Sequence, residues 1–71
     1  MPLIVFYTGK DGTQQLVKSR TAQIDEDGNS YVLETLTTDE SEAQRFDLVT
    51  ADQIVRWERH QGRNCNAAYV D

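Results

Sequence analysis

The sequence predicts a small α+β domain, in which an antiparallel β-meander of three to four strands carries one C-terminal α-helix packed on it. Two observations favour this class. Three β-branched and aromatic stretches are separated by short turns built on Asp-Gly, and a capped amphipathic segment follows them. Three antiparallel strands leave one apolar face that needs a cover, and the helix is placed to supply it. We therefore treat residues 1–71 as a single α+β domain.

The strands follow one another closely along the first half of the chain. Leu3–Thr8 (LIVFYT) is a strand by composition, and the dipeptide Asp11-Gly12 predicts the first hairpin turn. A second strand is expected over 14–24 and a third over 30–38, with a turn around Gly28 between them. Alternate apolar positions of the second strand are expected to share one face: Leu16, Ala22 and Ile24.

The helix is predicted over residues 51–61. Thr50 and Gln53 fit a T-x-x-Q capping box before it, and Gly62 is placed to end it. Helical spacing puts four residues on one apolar stripe, and these are Ala51, Ile54, Val55 and Trp57. Two neighbouring features complete the expected fold: Ala43 and Phe46 face inward before the helix, and residues 66–70 add a last strand after it.

Length and composition exclude several classes of protein. A chain of 71 residues buries only roughly 60% of the surface that its unfolded form exposes, which leaves little room for a catalytic cavity. One cysteine cannot form an intramolecular disulfide, and no apolar run reaches the roughly 18 residues of a membrane span. The N-terminal stretch has no basic region of the kind that opens a signal peptide. We therefore expect a cytoplasmic protein with no membrane partner.

The charge of the chain is concentrated in its middle. The net charge is −5, and residues 25–47 hold Arg45 against eight acids: Asp25, Glu26, Asp27, Glu34, Asp39, Glu40, Glu42 and Asp47. Such a segment repels nucleic-acid phosphates unless it faces away from them, so direct nucleic-acid binding is not expected. It suits a basic surface on a partner protein, or serves only to keep a small protein soluble.

The stretch WERHQGRNC, residues 57–65, holds the only tryptophan, histidine and cysteine. A zinc site would need more ligands at suitable spacing than His60, Cys65 and Glu58 provide. A Cys–His nucleophile would need an orienting group that the sequence does not indicate. We therefore expect no catalytic residue, no metal and no cofactor, and we do not expect an enzyme.

Trp57 admits two interpretations. If the helix rests on the sheet with the predicted stripe, Trp57 is a core residue alongside Ile54. Otherwise it is exposed and anchors an interface, surrounded by Arg56, Arg59 and Arg63, because tryptophan and arginine are enriched among residues that dominate binding energies. The sequence leaves both interpretations open.

Residues 40–62 resemble the helix-turn-helix of phage-repressor-like DNA-binding proteins. The matching positions of that motif are Ala43, Leu48, Ile54, Trp57 and Glu58. This resemblance implies a small DNA-binding transcriptional regulator, with Gln53, Arg56 and Arg59 facing the major groove.

The order of strands with Asp-Gly turns, the stretch SEAQRFD and a capped helix is similar to small phage and mobile-element accessory proteins, including anti-CRISPR and other host-defence inhibitors. That resemblance implies a phage-encoded, non-enzymatic inhibitor that occludes a host protein, such as a nucleic-acid-binding complex. In a steric version the contacts are Trp57, Arg56 and Arg59. In a version that mimics nucleic acid they are Asp25, Glu26, Asp27, Glu34, Asp39, Glu40 and Glu42. A homodimer through an edge strand stays open.

Overall fold

The computed structural model describes residues 1–70 and has four strands and one α-helix. The strands are β1 (Leu3–Thr8), β2 (Gln14–Ile24), β3 (Ser30–Thr37) and β4 (Cys65–Tyr69), and the helix α1 spans Leu48–His60. A single turn of 3₁₀ helix, Glu40–Glu42, lies between β3 and α1. The α+β class and the antiparallel sheet are confirmed. The prediction of a C-terminal helix was wrong, because β4 follows α1 and completes the sheet.

All neighbouring strands are antiparallel, in the order β3-β2-β1-β4. Both predicted hairpin turns form, and each has a glycine with positive φ, Gly12 at 85° and Gly28 at 83°. After β3, the chain crosses over through α1 and returns as β4 along the free side of β1. The first and last strands therefore lie side by side, although 56 residues separate the end of one at Thr8 from the start of the other at Cys65.

A bulge in β2 changes which of its residues face the helix. Val17 pairs with Leu36 and Ser19 pairs with Thr35, which leaves Lys18 as an extra residue on β2. Leu16 consequently lies on the face away from α1, whereas Ala22 lies on the helix side. The prediction that Leu16, Ala22 and Ile24 share one face was therefore wrong, because it assumed an unbroken alternation.

The main core lies between α1 and one face of the sheet. It consists of Leu3, Val5, Val17, Phe46, Ala51, Ile54, Val55 and Cys65. A smaller cluster on the opposite face consists of Ile4, Leu16 and Ala43, with Phe6 and Val70 packed against it. The inward positions predicted for Ala43 and Phe46 are confirmed.

The segment before α1 fills a gap between β1 and β2. Phe46 and Leu3 exchange two backbone hydrogen bonds of 2.8 and 2.9 Å, and the N–H of Gln44 donates to the carbonyl of Val17 at 2.9 Å. Beyond Leu16, β2 pairs only with β3 among the named strands. The outer parts of β2 and β3, residues 19–24 and 30–35, thus form a two-stranded extension of the sheet, which we call the ribbon.

The helix begins three residues earlier than predicted. Its N-cap is Asp47, whose carboxylate accepts the N–H of Thr50 at 2.8 Å, so the predicted capping box at Thr50 and Gln53 was wrong. The predicted stop is confirmed: Gly62 has φ of 86°, and the N–H groups of Gly62 and Arg63 donate to the carbonyls of Arg59 and Glu58 in a Schellman motif.

Segment 40–62 holds one α-helix and lacks the first helix of a helix-turn-helix. The residues that would form it are the short 3₁₀ turn at Glu40–Glu42 and an extended stretch that ends with the Phe46 bridge to β1. The structural basis of that resemblance is therefore absent from this part of the chain.

Candidate protein-interaction surface

Trp57 stands out among the large apolar side chains, because 55% of its surface is exposed although it lies in the last turn of a packed helix. It forms one wall of an open groove of about 430 Å³ between α1 and the ribbon. We call this the Trp57 groove. Its lining residues are Arg20, Ala22, Ser30, Tyr31, Val32, Glu34, Trp57, Glu58, Gln61 and Arg63.

The interpretation of Trp57 as a core residue was wrong. The buried stripe of α1 consists of Ala51, Ile54, Val55 and Glu58, not Trp57. Position 58 follows Ile54 by four residues and Val55 by three, so it faces the sheet directly. Trp57 is turned about 100° away from it, toward the ribbon.

The buried carboxylate of Glu58 has charged partners. Arg20 of β2 and Arg63, which follows α1, each place Nη1 within hydrogen-bonding reach of it, at 3.4 Å from Oε1 and 3.2 Å from Oε2 respectively. Arg20 Nη1 also lies 2.5 Å from Oε2 of Glu34, which accepts a hydrogen bond from the Tyr7 hydroxyl at 2.9 Å. Two guanidinium groups and two carboxylates thus form a set of balanced charge, which we call the Arg20 network.

The Arg20 network raises the pKa of Arg20 and of the neighbouring Tyr7. Burial by itself lowers the pKa of Arg20, but the hydrogen bond to Glu34 and the nearby carboxylates outweigh it and the pKa is raised. Burial and the hydrogen bond to Glu34 raise the pKa of Tyr7. Among the described residues, no buried side-chain nitrogen or oxygen lacks a hydrogen-bonding partner. The network therefore lines the floor of the Trp57 groove with side chains that are already paired with one another.

Two of the three arginines predicted around Trp57 lie elsewhere. Arg56 is highly exposed and pairs with Asp52 at 3.0 Å, one turn earlier on the helix. Arg59 is turned about 160° from Trp57 and donates to the carbonyl of Cys65 at 2.9 Å and to the side chain of Asn66. The third, Arg63, lines the groove with Trp57 and is its exposed arginine, since Arg20 is largely buried. The Schellman turn at Gly62 brings Arg63 back to the groove.

The acidic residues of the middle segment are divided between the two ends of β3. Asp25, Glu26 and Asp27 form the turn before it, and Asp39, Glu40 and Glu42 follow it, roughly 26 Å away at about 3.3 Å per residue. Several have local partners: Asp25 accepts from two turn N–H groups, Asp39 caps the 3₁₀ turn, and Glu42 pairs with Lys18 at 3.1 Å. Glu34 belongs to the Arg20 network.

The ribbon exposes more apolar surface than the sequence analysis recognised. Five large apolar side chains of β2 and β3 are exposed: Ile24, Tyr31, Val32, Leu33 and Leu36. The 13-residue helix is about 20 Å long and packs against β1 and β4, so the outer half of β3 has no cover. Apolar residues at both parities of β3 were the signal that could have revealed an uncovered strand.

Cys65 and His60 are not brought together as a reactive pair. Cys65 is fully buried in the main core, and burial raises the pKa of its thiol to about 11. His60 is exposed in the last turn of α1. Within residues 1–70, no three side chains of His, Cys, Asp or Glu converge in a way that would hold a metal ion.

Comparison with known proteins gives no relative: no family model, no curated protein and no solved structure matches the chain. In the described part of the chain, α1 is too short and too polar to cross a membrane, and no other helix would do so.

Proposed function

We propose that this chain is a non-enzymatic protein-binding module that occludes the surface of a partner protein. The observation that carries the proposal is the exposure of Trp57 above the Trp57 groove. Tryptophan and arginine dominate binding energies at interfaces, and the groove presents one of each to solvent, Trp57 and Arg63. Exposed apolar surface of this kind is typical of interaction sites.

The ion-paired floor of the groove supports the same function. A binding surface that is already ordered loses less conformational entropy when a partner docks. The Arg20 network joins β2, β3 and α1, so it fixes the ribbon relative to the helix that carries Trp57. Its carboxylates already pair with guanidinium groups and with the Tyr7 hydroxyl. They therefore stabilise the groove from below.

We propose further that the partner is a host protein and that the chain acts as a phage-type, anti-CRISPR-like inhibitor in the cytoplasm. The resemblance to small accessory proteins supports this class. We favour the steric version over mimicry of nucleic acid, because the acids are divided between two ends of β3 and Glu34 is engaged internally. A free, buried Cys65 is compatible with a reducing compartment.

A pull-down from the native host tests the proposal. Trp57→Ala should weaken retention of the partner by about 30-fold, which corresponds to the 2 kcal/mol typical of a dominant contact. The matched control is Leu48→Ala, which removes an equally exposed apolar side chain from the same helix and should retain the partner.

Three results would replace the proposal. Loss of binding in Glu26→Gln/Asp27→Asn/Glu40→Gln, with binding retained in Trp57→Ala, would favour mimicry of nucleic acid. Salt-sensitive binding of duplex DNA that Arg56→Ala weakens would favour the DNA-binding regulator. Turnover of a substrate that is lost on changing His60 or Cys65 would show that the chain is an enzyme.

A further inference from the structure

The outer edge of β3 has a row of free backbone groups. The N–H of Asp25 donates to the carbonyl of Asn29 at 2.9 Å, which makes these two residues a hydrogen-bonded pair of the β2–β3 hairpin. Such pairs alternate along an antiparallel ladder, so every second residue of β3 turns its N–H and C=O toward β2. The residues between them turn theirs outward: Ser30, Val32, Glu34 and Leu36.

Edge strands are usually guarded against pairing by lysine, proline, a bulge or short length. β3 is eight residues long, contains no lysine or proline, and its only charged residue, Glu34, is engaged by Arg20. The bulge lies on β2 instead. At the opposite edge of the sheet, the Arg59 side chain donates a hydrogen bond to the carbonyl of Cys65, at the start of the short strand β4. The two edges therefore differ, and β3 is the open one.

The ends of this open edge are acidic and its middle is apolar. Glu26 and Asp27 lie in the turn before β3, and Asp39 and Glu40 lie just beyond its other end. Between them, Tyr31 and Leu33 are exposed on the face away from α1, and Val32 is exposed on the face that borders Trp57. A strand added here would place alternate side chains on both apolar surfaces.

We propose that the β3 edge receives, as a fifth strand, an extended apolar segment of a partner protein that carries lysine or arginine at both ends. This inference rests on the proposed protein-binding function and names the chemistry of the partner. The mode is β-augmentation, in which backbone hydrogen bonds supply affinity and side chains supply specificity. The basic ends meet the acids that flank β3, and the apolar middle covers Val32 and Leu33.

A second copy of this chain fits the edge less well. Antiparallel self-pairing centred on Leu33 would bring Asp27 of each copy opposite Asp39 of the other, since both lie six residues from Leu33. Like charges placed opposite each other on paired strands are destabilising. The charges at the two ends of β3 thus favour a basic segment over an acidic copy.

A synthetic peptide, Lys-Lys-Val-Thr-Val-Thr-Val-Lys-Lys, tests the inference against the full chain. Its control has glutamate in place of each lysine. At saturating peptide, amide hydrogen exchange measured by NMR should slow at least about 10-fold at Ser30, Val32 and Glu34, whose N–H groups face outward. Exchange at Tyr31 and Leu33, whose N–H groups already pair with β2, should change much less. The glutamate peptide should give no protection.

Variants separate the edge from general charge attraction. Glu26→Lys should weaken binding of the lysine peptide at least about 3-fold, whereas Asp52→Lys, the same charge change on the exposed side of α1, should not. Val32→Pro removes an outward N–H without taking a donor from the β2 ladder, and it should abolish protection at Glu34. Equal weakening by both lysine variants, or protection outside β3, would overturn the inference, and so would no protection at all.

The host partner distinguishes this inference from the proposed function. A retained host protein that protects the Ser30, Val32 and Glu34 amides supports both. If a host protein is retained, its retention depends on Trp57, and these amides still exchange freely, the proposal that β3 binds the partner is contradicted. The proposed protein-binding function is then still supported. Retention of no host protein overturns the proposed function and this inference with it.

Discussion

Arg20 and Glu58 join the ribbon to the helix: Nη1 of Arg20 lies 3.4 Å from Oε1 of Glu58, and their side chains are only 11% and 5% exposed. Neither side chain belongs to the main core between α1 and the sheet. The ribbon is therefore attached to α1 by an ion pair, and the stability of the fold should depend on Arg20.

Arg20→Ala should lower the free energy of unfolding by about 3 kcal/mol, because it leaves two buried carboxylates without their shared partner. Arg63→Ala should cost less than about 1 kcal/mol, since 60% of the Arg63 side chain is exposed and the pair is screened. Urea unfolding followed by circular dichroism measures both. A smaller cost for Arg20→Ala than for Arg63→Ala would show that the network does not anchor the ribbon.

Trp57→Ala should cost only about 1 kcal/mol of stability, since over half of the side chain already contacts solvent. Ile54→Ala, three residues earlier on the same helix, should cost about 2–4 kcal/mol because it opens a cavity in the main core. Chemical unfolding of the two variants under the same conditions makes the comparison. Equal losses would place Trp57 in the core and remove the basis of the proposed binding surface.

Stability should fall as pH rises above about 8.5, where the thiol of an unfolded chain ionises. Burial, with help from Glu58 and Glu34, raises the pKa of Cys65 to about 11. The folded state then binds more protons than the unfolded state between these values, so the free energy of unfolding drops by up to about 1.4 kcal/mol per pH unit.

Urea midpoints measured from pH 8 to 11 test this dependence. Cys65→Ala should flatten the curve between pH 8 and 10. Tyr7 has a raised pKa as well, through burial and its bond to Glu34, so a further loss is expected above about pH 10. Tyr7→Phe should remove that later loss. A wild-type slope equal to that of Cys65→Ala below pH 10 would contradict the expectation for the thiol.

Asp47→Ala should lower the melting temperature by roughly 4–8 °C, because it removes the helix N-cap. Hydrogen bonding from Thr50 lowers the pKa of Asp47, so its contribution is fully present above the unfolded value of about 3.9 and is lost as pH falls through the lowered one. Thermal scans at pH 7 and pH 2 should show a smaller difference between wild type and variant in acid. Gln53→Ala, which would break the originally predicted capping box, should have almost no effect.

The elements of the fold were largely predictable because each has a local cause. β-Branched strands, Asp-Gly turns and the glycine at position 62 act within a few residues of themselves, and all of them appear in the structure. The bulge at Lys18 has no comparable local signal, and it moved Leu16 to the opposite face. The order of strands depends on β4 returning to β1, a contact between the two ends of the chain.

The candidate surface was less predictable than the fold. Trp57 and Glu58 compete for the buried stripe, and hydrophobicity alone assigns it to tryptophan. The structure buries Glu58 because Arg20, 38 residues earlier, is available to pair with it. A sequence shows both charges but not their distance. The same limit applies to Arg56 and Arg59, which were expected beside Trp57 and face away from the groove. Arg63, expected there as well, does reach the groove.

The side-by-side placement of the first and last strands determines how the fold responds to a pulling force. β1 and β4 are antiparallel, Leu3 lies opposite Tyr69, and the N–H of Val70 donates to the carbonyl of Pro2 at 3.0 Å. Tension applied through residues 1 and 70 therefore acts at one end of this ladder and breaks its hydrogen bonds in succession, as a zipper opens. Such a geometry yields at low force, and it removes β4 before the rest of the sheet is loaded.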